Sequence, residues 1–178
     1  MNAEGRGLED GPQAVADVAG RLGVSAELGT HPSIALGARE VSPIDMATAY
    51  ATIANHGKRV TPTLIDKVVR DEGEENEEVL ESAPLLEGEQ VIAPEIAHKA
   101  TEVMIGDITQ GIADKASLGA RPAAGKSGTT ENFFDSWFIG FTPQLVSGVW
   151  MGYPEGGKTL EGLLNLGGEQ LGPLDRRR

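Results

Sequence analysis

The stretch Ala124-Gly125-Lys126-Ser127-Gly128-Thr129-Thr130, followed closely by Phe133-Phe134-Asp135-Ser136-Trp137-Phe138-Ile139-Gly140-Phe141, decides how the chain is read. It sets one cation and three hydroxyls on a glycine-thinned segment that leads into an aromatic strand. The aromatic part predicts a strand over about 133–141, and a second over 145–153 after a Thr142-Pro143-Gln144 turn. Both carry apolar residues at alternate and intervening positions, so both faces of the sheet are expected to be covered by helices. Seven of the eight aromatic residues fall between Phe133 and Tyr153, which places the best-packed region there.

Working outward, the remaining elements follow from caps and periodicity. Pro12 to Leu22 predicts a helix with Val15, Val18 and Leu22 on one face and Gly23 as its stop. Residues 25–41 read as loop, broken by Gly29, Pro32 and Gly37. Ser42 caps the next helix, Pro43 suits its first turn, and Asp45 sits at the third position of a weak capping box. Ile44, Ala47, Ala51 and Ala54 recur there at helical spacing, and Gly57 ends it. Val60 to Arg70 predicts a strand, returning at Val79-Leu80 across the acidic turn 71–78. That acidic run lacks the spacing of a calcium loop and reads as a solvated tip. Pro94 to Gln110 predicts a helix with Ile96, Ala100, Val103, Met104 and Ile108 inward, stopped by Gly111. Beyond Tyr153 the chain turns Gly-rich, with a short helix possible over Leu160 to Leu166.

Gly-Lys-Ser is also the end of a phosphate loop, but that reading fails on spacing. Five residues separate Gly119 from Gly125 where four are required, and Pro122 lies inside. A phosphate loop also opens a helix, whereas an aromatic strand follows here. A polar strand edge with no chemistry is the bland reading of the triplet by itself. The context supports a third. On an edge strand Gly128 admits another backbone, and an extended peptide can add to the sheet. Lys126 then supplies a point charge near a carboxylate, Ser127 and Thr129 supply donors, and the Thr129 amide can serve an oxyanion hole.

Composition removes other classes. A net charge of -12, with no basic cluster except Arg176-Arg177-Arg178, disfavours nucleic acid. There is no cysteine, so neither disulfides nor thiolate metal sites arise. His31, His56 and His98 lack ligand spacing, so no metal and no cofactor is expected. No apolar run approaches the ~18 residues of a membrane span. No export signal is visible at Met1-Asn2-Ala3-Glu4 and, if the parent is exported, that signal is expected outside this chain.

Taken in order, Gly125 to Thr130 and Asp135 to Pro143 resemble the Lys-Thr/Ser-Gly strand of penicillin-binding proteins and the strand after it, closest to the bifunctional class A type. Leu145 to Tyr153 is similar to the family's last sheet strand. Pro32 to Gly37 with Val41 to Ala47, and Arg121 to Gly125, are similar to further segments of the same transpeptidase domain. The resemblance runs from about Gly11 to Tyr153. It implies an α+β fold, an antiparallel sheet flanked by helices, here lacking its N-terminal portion and its closing C-terminal helix. It divides the chain into a flexible N-terminus (1–11), the C-terminal portion of a transpeptidase domain (12–153) and a divergent Gly-rich tail (154–178).

The resemblance further implies a bacterial cell-wall enzyme that cross-links peptidoglycan stems ending in D-Ala-D-Ala by serine acyl transfer, with β-lactams as mimics of that end. The parent is expected to be membrane-anchored, with this domain on the extracytoplasmic face and no membrane contact from this chain itself. Carried over, Lys126 is the catalytic residue beside the substrate carboxylate. Thr129 binds that carboxylate through its hydroxyl and the oxyanion through its amide, and Ser127, Gly128 and Thr130 complete the substrate-binding wall. The family's other motifs, Ser-x-x-Lys and Ser-x-Asn, are absent: none of the eight serines has Lys three or Asn two residues later. Ser127 beside Lys126 is no substitute, because successive strand residues point to opposite faces. The chain is therefore expected to be one wall of the site, inactive alone, its nucleophile supplied elsewhere. The alternative is a non-catalytic peptide- or carboxylate-binding module that uses the same strand.

Overall fold

The computed structural model describes residues 11–73, 76–82 and 88–160. Helix α1 (Gly11–Leu22) is followed by a 3-10 turn (Pro32–Leu36) and helix α2 (Pro43–Ala54). A hairpin of β1 (Lys67–Arg70) and β2 (Glu78–Ser82) leads to helix α3 (Pro94–Gln110), and then strands β3 (Ala124–Thr129), β4 (Asp135–Thr142) and β5 (Leu145–Gly152). The three last strands form one antiparallel sheet in the order β3-β4-β5. The architecture is α+β, as the sequence implied. The turn within 25–41 and the placing of Phe133 in a 3-10 turn (Glu131–Phe133), with Phe134 between it and β4, refine the expected boundaries.

The start of α2 is capped as read, with Ser42 Oγ accepting from the Asp45 amide at 3.1 Å. Asp45 does not complete a reciprocal box. Its two carboxylate oxygens accept from Ser25 Oγ at 3.0 and 3.1 Å, which pins the segment after α1. The buried stripe of α2 is Asp45, Thr48, Ala49 and Thr52, while Ile44 is exposed. Asp45 and Thr52 can be buried there because their polar groups are satisfied. The Thr52 hydroxyl donates to the Leu22 carbonyl at 3.0 Å and accepts from the Val60 amide at 3.2 Å, joining α1, α2 and the chain beyond.

Three further expectations need correction. The strand over Val60 to Arg70 is confined to β1, because Lys58 bridges to Gln90 and the Arg59 amide bonds the Glu89 carbonyl at 2.8 Å, holding the chain away from the hairpin. Helix α3 has the predicted span but a different phase. It buries Ala97 and Ile108, while Ile96 and Val103 face solvent. Thr101 is tolerated on the packed side because its hydroxyl folds back onto the Ala97 carbonyl at 2.9 Å. Val15 of α1 is likewise exposed. The Gly-rich tail beyond Leu160, with most of the possible helix there, lies outside the described residues, as do residues 1–10.

Strand register sorts the sheet into two faces. Ala124, Lys126, Gly128, Trp137, Ile139, Phe141 and their β5 partners share one face. It packs on α2 and α3: the Tyr50 and Phe141 rings meet edge-on at 6.2 Å, and Gly148 lies against Ala47. The core sits here, with Ala124, Ile139 and Phe141 buried. On the other face Leu145 is 68% exposed, and Val149 and Met151 are exposed too. Among the described residues the sheet is covered on one face, not both.

Candidate functional site: the open edge of β3

Strand β3 is an edge of its sheet, and its hydrogen-bond parity tells which backbone groups are free. The Thr130 amide donates to the Asp135 carbonyl at 3.1 Å, so even-numbered residues of β3 turn toward β4. Ser127 and Thr129 therefore direct their amides and carbonyls outward. The Lys126 ammonium confirms this by donating to the Ser127 carbonyl at 2.9 Å, folded over the edge. Lys126 and Ser127 side chains start from opposite faces, since Lys126 is opposite Ile139 and Ser127 opposite Phe138.

The glycines of the motif do different work. A Cβ on Gly125 would come within 2.9 Å of the Phe138 ring, and one on Gly140 within 2.8 Å. Phe138 lies flat across both, so these two are glycine for internal packing. Gly128 is different: an added Cβ would meet only Trp137 Cβ, at an ordinary 3.6 Å. Nothing described within the chain requires glycine there, and the absent side chain leaves space beside the open edge.

The turn after β3 is held in a costly conformation. Asn132 and Phe133 have φ of 60° and 55°, left-handed values costing on the order of 1 kcal/mol each for side-chain-bearing residues. Thr130 clamps the turn, its hydroxyl accepting from the Asp135 amide at 2.8 Å. The Leu160 amide donates to the Phe133 carbonyl at 2.7 Å and the Thr159 hydroxyl to the Asn132 carbonyl at 2.9 Å. Asp135 in turn accepts from Trp150 Nε1 at 2.9 Å, locking β4 to β5. Strain supported in this way clusters at functional sites.

On the helix side, Lys126 stands 3.6 Å from Asp107 Oδ2 of α3. Lys126 is 51% exposed and Asp107 18%, so screening limits the pair to about 1 kcal/mol. Asp107 Oδ2 is itself buried and makes no hydrogen bond. The two residues share a cavity of about 310 Å³ with Val103, Met104, Gln110 and Gly111. Burial, and then the Asp107 carboxylate, push the Tyr50 phenol above its usual range. Sequence reasoning missed Asp107. Its only sequence signal was an acid one helical turn before Gly111, and Gly111 was read simply as a helix stop.

The wall residues expected from sequence thus gather on one strand end, but with distinct surroundings. Lys126 is on the α3 side, Ser127 and Thr129 present the free backbone, Gly128 leaves room, and the Thr130 hydroxyl is engaged in the turn. A larger cleft of about 670 Å³ opens at the other end of β3, lined by residues including Ala51, His56, His98, Phe141 and Gln144. It does not include Lys126. Among the described residues no cluster of His, Asp and Glu has metal-binding geometry, and no helix is long and apolar enough to cross a membrane.

Comparison with known proteins identifies the family and the fold. Residues 25–154 match the family model described as the penicillin-binding protein transpeptidase domain. The chain is 38% identical over 143 residues to penicillin-binding protein 1A of Aquifex aeolicus (strain VF5), covering 80% of this chain and 19% of that protein. It therefore spans about a fifth of the length of that curated relative. Its fold resembles penicillin-binding protein 1A from Haemophilus influenzae with a TM-score of 0.71 at 23% identity, over 84% of this chain and 28% of that one. It also resembles the D,D-transpeptidase domain of a peptidoglycan glycosyltransferase from Eggerthella lenta, with a TM-score of 0.55 at 27% identity, over 78% of this chain and 33% of that one. The free edge of β3, its lysine and its uncrowded glycine are thus set in a known frame: this chain belongs to the penicillin-binding protein transpeptidase domain family.

Proposed function

We propose that the chain forms the carboxylate-gripping wall of a serine-type D,D-transpeptidase site, acting on peptidoglycan stems that end in D-Ala-D-Ala and on β-lactams that mimic them. The observation that carries this is the outer edge of β3, where Ser127 and Thr129 turn backbone groups outward, paired with no other strand, beside the Lys126 ammonium. A peptide laid along that edge pairs with the strand, and its terminal carboxylate meets Lys126 and the Thr129 hydroxyl. The Thr129 amide then faces the carbonyl under attack and stabilises the oxyanion as a serine adds to it. Gly128 lets the peptide backbone come close. Thr130 supports the wall from the turn.

The attacking serine is supplied from outside these 178 residues, which contain no Ser-x-x-Lys. Residues 12–153 act as the transpeptidase portion, and the parent carries this domain on the outer face of the bacterial membrane. The test is covalent labelling. The chain mixed with a fluorescent penicillin yields no labelled band after denaturation, and a band would overturn the assignment of the nucleophile. In a longer polypeptide that supplies Ser-x-x-Lys, Lys126→Ala slows acylation by about 100-fold or more, the scale of losing one charge-stabilising donor. Acylation within a factor of two of the parent would remove Lys126 from the site. A peptide that binds the edge while no serine ever acylates would favour the carboxylate-binding module instead.

A further inference from the structure

Lysine 126 already faces a carboxylate within the chain, and that carboxylate is incompletely satisfied. Asp107 Oδ2 is buried, has no hydrogen-bond donor, and lies 3.6 Å from the ammonium. The geometry is enforced from both sides. Asp107 is on α3, the helix packed over β3. Gly111 gives it space, because a Cβ there would lie 2.5 Å from Asp107 Oδ1 and 2.6 Å from the Asp107 carbonyl oxygen. Lys126 and Asp107 both line the cavity there. We propose that Asp107 is the resident counter-ion of Lys126 and sets how tightly the β3 wall holds an incoming carboxylate.

The argument is one of charge. A lysine ammonium has three donors, and one is committed to the Ser127 carbonyl. The others remain for an anion that reaches the edge, while Asp107 Oδ2 stands 3.6 Å from the nitrogen as a neighbouring charge without a hydrogen bond. A ligand carboxylate at the Lys126 ammonium feels attraction from the lysine and a weaker repulsion from the more distant Asp107, so the resident acid weakens ligand binding. For a transpeptidase this moderation is useful. Binding ground state and transition state equally tightly does not raise the rate of the chemical step, and a half-neutralised lysine releases the product end. Asp107 touches no reacting atom. It acts through Lys126 and determines affinity. The inference rests on the function proposed above only for the identity of the ligand.

Two probes separate the two ideas. Sulfate has no peptide chemistry and tests the counter-ion alone, and acetyl-D-alanyl-D-alanine tests the proposed function. Both are titrated into the 178-residue chain at fixed pH, following the Lys126 Nζ signal and the Ser127 and Thr129 amides by NMR. Asp107→Asn removes the charge at nearly constant shape, and Asp107→Glu retains it. The expected result is that Asp107→Asn tightens sulfate binding at Lys126 about three- to tenfold at low salt, that 0.5 M NaCl erases the gain by screening, and that Asp107→Glu stays near the parent. A merely structural Asp107 would give equal sulfate affinity in all three, or weaker binding in Asp107→Asn. Either result overturns the counter-ion whatever the peptide does. If sulfate behaves as expected but the peptide moves neither Ser127 nor Thr129, the counter-ion stands and the transpeptidase reading falls. If Asp107→Asn does not fold, Asp107→Ser removes the same charge with a smaller side chain, and failure of sulfate affinity to rise there counts against the proposal.

Discussion

The two edges of the main sheet are made differently. On β3 the outer edge carries a cation, hydroxyls and a glycine with open space above it, and α3 backs it with Asp107. On β5 the outer strand carries Leu145, Val149 and Met151, all exposed, with no charge among residues 145–152. Soluble proteins blunt free edges with charge, bulges or cover. The β3 edge is exposed and polar, so it is compatible with water. The β5 edge has the composition of an interior strand. The contrast teaches that one edge is made compatible with water while the other keeps the composition of an interior strand.

The largest effects should come from the core that both edges share. Phe141→Ala, which removes a buried ring beneath β3 and its contact with Tyr50, is expected to cost about 3–5 kcal/mol and to unfold both edges together in a denaturant titration. If β3 amides keep their exchange protection while β5 loses it, the sheet is not one unit. Next, Trp150→Phe breaks the bond to Asp135 that ties β5 to the turn after β3, at a cost of about 1–2 kcal/mol. A melt unchanged within error would show that the tie is idle.

The edges themselves separate at smaller magnitudes. Val149→Lys should leave the melting temperature nearly unchanged, because surface changes stay within about 0.5 kcal/mol, yet reduce self-association in sedimentation velocity. A parent chain that sediments as a monomer at all concentrations would show that β5 needs no neighbour. Gly128→Ala should likewise be nearly neutral for stability while cutting peptide binding at least severalfold, and unchanged binding would mean the space above Gly128 is unused. The smallest effect is alkaline. The Tyr50 phenol is held above its usual value of 10.0, chiefly by burial, so it favours the folded state below about pH 10. That contribution is lost as pH rises through the raised folded value. Tyr50→Phe should remove this part of the alkaline fall in stability, and an identical fall in both proteins would refute it.

Local chemistry made some of this legible before any coordinates. Ser42 and Pro43 announced α2 because cap and first-turn demands are local. The Lys126 strand was legible because its residues resemble a family in order. The faces of α2 and α3 were not, since Thr52 and Thr101 pack inward once their hydroxyls find partners. An apolar-only count cannot register that satisfaction. Residues 60–66 look like a strand in sequence but lose that role to the contacts of Lys58 and Arg59 with 89–90, which are long-range. Asp107 escaped notice for the same reason: its significance depends on Lys126, 19 residues later and on another element.

The most direct test of the central claim maps acetyl-D-alanyl-D-alanine onto the chain by amide NMR, with Lys126→Ala as the control. The account predicts that the Ser127 and Thr129 amides shift together, that the even-numbered amides of β3 facing β4 shift least, and that Lys126→Ala abolishes the response. Shifts confined to the cleft near His56 and His98, or an undiminished response in Lys126→Ala, would contradict it.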